Sequence, residues 1–194
     1  MLPLLVILVV ILALIVLVAV MIVASYNRLV SLRNRVNNGW SQIDVQLKRR
    51  HDLIPNLVNT VKGYMEHERS VLQNVTEARA QAIAAGNDVA RRSEAEGELT
   101  RSLRSLFAVA EAYPALRASE NVMAFQEELA STENRIAFAR QFYNDAVLAY
   151  NTARSQLPGV LIANQFGFQP ADAYTIDIAA ERDVPSVDFS RQPG

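Results

Sequence analysis

LVSLRNRVNNGWSQIDVQLKRRHDLIPNLVNTV, residues Leu29–Val61, reads as one face of a long helix. Two apolar columns recur through it every seven residues. One holds Leu29, Val36, Ile43 and Leu57, and continues to Tyr64 and Val71. The other holds Trp40, Leu47, Ile54 and Val61, and continues to Val75 and Ala82. A mean spacing of 3.5 is the seam of a helix packed at a shallow angle against other helices. Arg33, Arg50 and Glu68 fall on the seam and interrupt it. The pattern ends at Ala85-Gly86-Asn87-Asp88, a turn signal. It predicts a helix of about 55 residues, roughly 80 Å long. Pro55 lies inside it, removing one backbone hydrogen bond and crowding the carbonyl of His51. One helix bent near residues 51–55 is the first expectation, and two helices meeting at Ile54-Pro55 the second.

Outward toward the N-terminus, Leu2 to Ala24 carry no polar side chain. That run spans roughly 34 Å as a helix, enough for a hydrocarbon core of about 30 Å. It is too long for a cleaved signal peptide, and no Lys or Arg precedes it. An uncleaved transmembrane anchor over residues 1–27 is expected. It contains no ionisable group and no small-xxx-small pair, which argues against a channel or transporter. Residues 25–50 hold six basic side chains, beginning with Arg28, Arg33 and Arg35, against the single acid Asp44. This asymmetry predicts a cytoplasmic C-terminal domain and an external N-terminus. The same basic flank would attract anionic lipid.

Outward toward the C-terminus, a second helix is predicted from about Asp88 to Ala112, with Leu99, Leu103, Leu106 and Ala110 on one face and Pro114 as its stop. Ser119 is placed to cap a third, carrying Val122, Leu129, Ile136, Tyr143 and Tyr150 at strict seven-residue spacing and ending near Ser155. Leu157 to Phe168 predicts a one- or two-turn helix closing the bundle end. The fold class is all-α: an anchor, then an antiparallel up-and-down bundle of three long helices and a short C-terminal one over residues 28–169. A flexible acidic tail is expected over 170–194.

Little here suggests catalysis. The chain has no Cys, and its two His, His51 and His67, lie about 24 Å apart along a straight helix. No phosphate-binding glycine loop is present. No enzyme activity, catalytic residue, metal or cofactor is expected. The net charge of −1 argues against nucleic acid as a partner.

Arg49-Arg50-His51-Asp52-Leu53-Ile54-Pro55-Asn56-Leu57-Val58 resembles the signature of the bacterial LemA family. The resemblance extends through Tyr26-Asn27, Tyr113-Pro114, Thr132-Glu133-Asn134-Arg135-Ile136, Tyr143-Asn144-Asp145-Ala146-Val147 and Phe166-Gly167-Phe168. It covers roughly residues 1–170, and after Gln169 the chain departs from the short aromatic-acidic ending of the family. The resemblance implies a helical bundle held to the bacterial inner membrane by its N-terminal helix, with no established biochemical activity. Some relatives act in building magnetosome membranes, and others look like partners of membrane proteases. The signature residues Arg49, Arg50, Asp52, Pro55, Asn56, Glu133, Asn134, Arg135, Tyr143 and Asn144 are expected to be structural. Charged members on neighbouring helices would pair across the bundle and fix its register. The function expected is a self-associating membrane scaffold, with the lipid bilayer and further copies of the chain as partners. The alternative is a monomeric adaptor for another membrane protein, such as a protease.

Overall fold

The computed structural model describes residues 2–175, and all secondary structure among them is helical. In chain order the helices are α1 (Leu2–Lys62), α2 (Arg69–Ala84), α3 (Val89–Ala110), α4 (Pro114–Arg117), α5 (Glu120–Ser155) and α6 (Gly159–Phe166). The expected all-α bundle is present. Anchor and first bundle helix are one rod of 61 residues, about 90 Å long. Its apolar N-terminal part is wholly exposed, as a segment awaiting lipid would be.

Pro55 does not end α1. The carbonyl it deprives, that of His51, accepts a hydrogen bond from Arg79 Nε of α2 at 2.7 Å. A side chain from a neighbouring helix thus replaces the missing amide. The single helix expected from 29 to 85 breaks instead at residues 63–68. Gly63 follows the last helical turn, and Met65 folds inward to complete burial. Glu68 accepts from the Tyr113 hydroxyl at 3.2 Å. Tyr64, expected in the seam, is exposed and Met65 is buried in its place, but the heptad phase resumes in α2 at Val71, Val75, Ala78 and Ala82, which is why the sequence pattern reads straight through the reversal. The chain returns along α2, so the bundle has one more long helix than expected, and the one-turn α4 besides.

The turn at 85–88 is as expected. Gly86 takes the left-handed conformation at φ 66°, which glycine adopts without strain. Asp88 caps α3 by accepting from the Arg91 amide at 2.9 Å. Ser119 occupies the N-cap of α5 without a side-chain bond.

α1 and α5 are antiparallel along the upper bundle. α2, α3 and the first half of α5 join the lower part of α1 in a four-helix arrangement. Two apolar cores result. The upper one joins Leu29, Val36, Ile43 and Leu47 of α1 to Ile136, Tyr143, Ala146 and Tyr150 of α5, with α6 against them. The lower one joins Ile54, Leu57 and Val61 to Val75, Leu99, Leu106 and Val122. In α1 no apolar residue between Leu47 and Ile54 is buried, and in α5 Thr132 fills the interval between Leu129 and Ile136. That interval is a buried polar layer.

Gly39 sets the approach of α1 to α5. A Cβ there would stand 3.0 Å from Tyr143 Cα and 3.2 Å from the Phe142 ring. Gly159 is tighter, since its Cβ would meet the Ala153 carbonyl oxygen at 2.0 Å.

Residues 168–175 run extended along α5 and are held by side chains. Asn144 and Asn151 each grip one residue through both backbone groups: Asn144 bonds the Tyr174 carbonyl and amide at 3.0 and 2.9 Å, and Asn151 those of Ala171 at 2.8 and 3.0 Å. The spacings match, because seven helical residues and three extended ones both advance about 10 Å. Tyr143, Tyr150 and Arg154 donate to the carbonyls of Asp172, Gln169 and Phe168. The expected tail therefore begins with a fastened stretch, and its residues 176–194 lie outside the described residues.

Replacing Gly39 with Leu should destabilise the chain by about 1–3 kcal/mol, because the side chain meets backbone across the seam. Chemical denaturation would measure it, and an unchanged midpoint would contradict the close approach.

Candidate functional site: a buried ionic layer

The polar layer is built around Arg50, 3% exposed, and Glu96, 1% exposed. Their side chains form a direct ion pair. Arg50 Nη1 also donates to Glu133 Oε2 at 2.8 Å and Thr100 Oγ1 at 3.0 Å. His51 Nε2 lies 2.9 Å from the second oxygen of Glu96, a close polar contact rather than an aligned hydrogen bond. One guanidinium thus joins α1, α3 and α5 at a single level, and Arg79 adds α2 through the His51 carbonyl.

Burial alone would push the Glu96 carboxyl up. The His51 contact and the Arg50 charge outweigh it, and the carboxyl sits below its ordinary value of 4.5. Tyr174, whose ring stands 5.3 Å from the Arg140 guanidinium, is pushed up to about 12 by burial and the Glu96 charge. It remains a neutral phenol at physiological pH.

A second arm lies nearer the start of α3. Arg92 pairs with Asp44 at 2.5 Å, donates to the Gly86 carbonyl at 3.2 Å and stacks over Trp40 at 5.5 Å. Trp40 in turn meets Tyr143 and Tyr174 at ring distances of 5.6 and 6.2 Å.

Of the signature residues, Arg50 and Glu133 come together in the layer. Arg49 pairs with Glu128 at the surface. Asp52 is exposed and forms no ion pair among the described residues. Pro55 and Asn56 are exposed on α1, and Asn134 and Arg135 on α5. Tyr143 and Asn144 hold the C-terminal segment instead. Arg28, Arg33 and Arg35 are exposed, with Arg33 over Phe168 and Arg35 over Phe142 at 5.1 and 5.3 Å. His67 is exposed, and no group of metal-ligating side chains occurs among the described residues.

Sequence reasoning missed Glu96, Thr100, Arg79 and Arg92. A signal existed for two of them. Running the α3 seam back from Leu103 and Leu99 by alternating three and four lands on Glu96 and then Arg92. Both are charged seam residues, matching the interruption at Arg50. Nothing in the sequence marks Arg79 as the partner of a proline-freed carbonyl.

Replacing Glu96 with Ala removes the buried carboxylate from Arg50, leaving it only the half-exposed Glu133, and should cost about 3–5 kcal/mol. Replacing Glu128 with Ala should cost about 0–1 kcal/mol, because that pair is exposed. Asp52→Ala should fall within about 0.5 kcal/mol of the parent. The folded-state pKa of Glu96 is depressed, so its stabilisation is complete above pH 4.5 and is lost as pH falls below it through the folded value. Glu96→Gln should flatten that part of the acid limb in a pH-dependent melt. Equal losses for the Glu96 and Glu128 variants would contradict the buried layer.

The sequence profile described as the LemA family matches residues 39–189. Magnetosome protein MamQ 2 of Paramagnetospirillum magneticum is 24% identical over 174 residues, covering 77% of this chain and 64% of that protein. Magnetosome protein MamQ of Magnetospirillum gryphiswaldense is 22% identical, with the same shares covered. Protein LemA of Metamycoplasma hominis is 24% identical over 162 residues, covering 84% of this chain and 72% of its own length. The chain therefore spans just under two thirds of the MamQ relatives. It is a helical, membrane-associated protein whose matched region takes in the ionic layer, all of α5 and α1 from Gly39 onward, and it belongs to the LemA family.

Proposed function

We propose that the chain is a membrane-anchored scaffold without catalytic activity that self-associates through its upper bundle. Its N-terminus lies outside and its bundle in the cytoplasm at the bacterial inner membrane. The lysine and arginine bias after the apolar run supports that orientation.

One observation carries the assembly. Between α1 and α5 lies an open groove of about 460 Å³, formed by Gln42, Val45, Arg135, Phe138 and Phe142 among others. Val45 is 62% exposed and Phe138 73% exposed. Among the described residues no helix covers this side, and the groove is lined by α1 and α5 alone. Two large apolar side chains facing water beside a helical seam suit a second copy of the same face. Self-association would gather anchors in one patch of bilayer, a role that suits a protein similar to magnetosome proteins.

The second reading, an adaptor for another membrane protein, rests on a separate cleft. It measures about 430 Å³ between α3 and α5, is lined by Leu103, Phe107 and Leu129, and reaches Arg50 and Glu133. An apolar segment of a partner bearing one acidic group would fit it.

The test is the protein mass of the full chain in nanodiscs. The scaffold predicts a discrete assembly that Phe138→Asp reduces to monomers. Monomers of the parent chain across protein-to-lipid ratios would contradict it. A recurrent heterologous crosslink at Phe107 would then favour the adaptor.

A further inference from the structure

The C-terminal end of the bundle presents a second apolar surface with no role in either core. Leu157 is 76% exposed, Leu161 63% and Phe166 55%. α6 itself is firmly seated. Ile162 and Ala163 are buried, and Gly159 sits so close to α5 that no side chain fits. Leu157, in the turn before α6, and Leu161, within it, are left exposed by that seating.

The register of α1 and α5 places this surface. Gly39 and Tyr143 meet at the closest approach of the two helices. Thirteen residues toward the N-terminus of α1 is Tyr26, and thirteen toward the C-terminus of α5 is Gln156. Leu157 therefore stands level with the point where the apolar run ends, about 3 Å beyond Ala24 along the helix. Ring contacts agree: Tyr26 meets Phe166 at 5.0 Å and Phe168 at 5.6 Å, both edge-on. Aromatic side chains at this depth suit the boundary between acyl chains and water.

Charge next to the end of the apolar run has one sign among the described residues. Residues 25–36 and, level with them or nearer that end, 146–170 contain Arg28, Arg33, Arg35 and Arg154, and no acid. Beyond them the bundle carries both signs. A cationic rim around exposed leucines complements an anionic bilayer surface, through Coulomb attraction and burial of apolar area together.

We infer that Leu157 and α6 form a second membrane contact, seated in the headgroup region of an anionic leaflet beside the exit of the anchor helix. This rests on the reading of residues 2–24 as a membrane span. Tethered at two points, the bundle keeps a fixed tilt and rotation on the bilayer. A single helical stem would leave it free to swivel.

The chain has no cysteine, so single-site labels are specific. Full-length Leu161→Cys carrying an environment-sensitive fluorophore would be placed in vesicles of phosphatidylcholine and phosphatidylglycerol. Shallow nitroxide-labelled lipid is the quencher. Leu12→Cys in the span and Tyr64→Cys at the far turn are the references. The expected result is several-fold stronger quenching at Leu161 than at Tyr64, with the same at Leu157→Cys and weaker quenching without phosphatidylglycerol. If Leu12 is quenched while Leu161 matches Tyr64, the second contact is wrong and the anchor stands. If Leu12 also matches Tyr64, the anchor reading fails and the contact fails with it. A blue-shifted label that lipid does not quench, and that reverts on dilution in lipid, would assign the surface to a second copy and overturn the proposal.

Discussion

A guanidinium taken out of water in the middle of a helical bundle has to be matched in charge and direction, and Arg50 of α1 is matched from α3 and α5 at once. Glu96, Thr100 and Glu133 converge on it, and His51 shares Glu96. Sliding any one helix by a turn would separate a buried charge from its partner, at a cost of several kcal/mol. The apolar seams impose no such penalty. Leu, Ile and Val columns repeat every seven residues, so a seam displaced by one heptad still packs. The ionic layer supplies the information that the repeat lacks. It also lies between the two apolar cores, below the Arg92–Asp44 pair that joins the start of α3 to α1.

Much of the fold was legible because helical bundles write themselves in periodicity. The apolar run, the seams of α1 and α5, the glycine turn after Ala85 and the end near Ser155 all appear as expected, whereas Ser119 stands at the N-cap without the expected side-chain bond. The reversal at residues 63–68 was not legible, for a physical reason. α2 resumes the seam in phase, and Glu68 looks like one more polar interruption when it is the start of a new helix. Pro55 drew attention as a break, yet a tertiary hydrogen bond from Arg79 supplies what the proline removes. Local sequence cannot show a donor that arrives from 28 residues away.

The ionic layer was half legible. Arg50 and Glu133 stood out as charges near seams, and they do meet. Asp52 and Arg135 shared that description and lie in solvent, because one residue along a helix turns a side chain by about 100°. Glu96 went unnoticed although its seam position could be counted back from Leu99. In the sequence Asn144 is one residue of a family motif; its work with Asn151, holding an extended strap by its backbone, depends on chain that folds back from α6 and leaves no periodic trace.

The layer's distance from the membrane gives the molecule its division of labour. Toward the bilayer lie the upper core, the exposed groove and the cationic end. Away from it lies the four-helix base. A surface built from α1 and α5 presents a defined pattern to another copy only if those helices keep one register. The most direct measurement is the distance between spin labels at Asn37→Cys on α1 and Asp145→Cys on α5, both exposed positions. It would be made in the parent chain and in a variant also carrying Arg50→Met and Glu96→Leu. The account predicts one narrow distance in the parent. The variant should show a broadened distribution, or a second distance from a shift of about 10 Å along the helix, even where its melting temperature is retained. The same narrow distance in both would contradict the claim that the buried ions set the register.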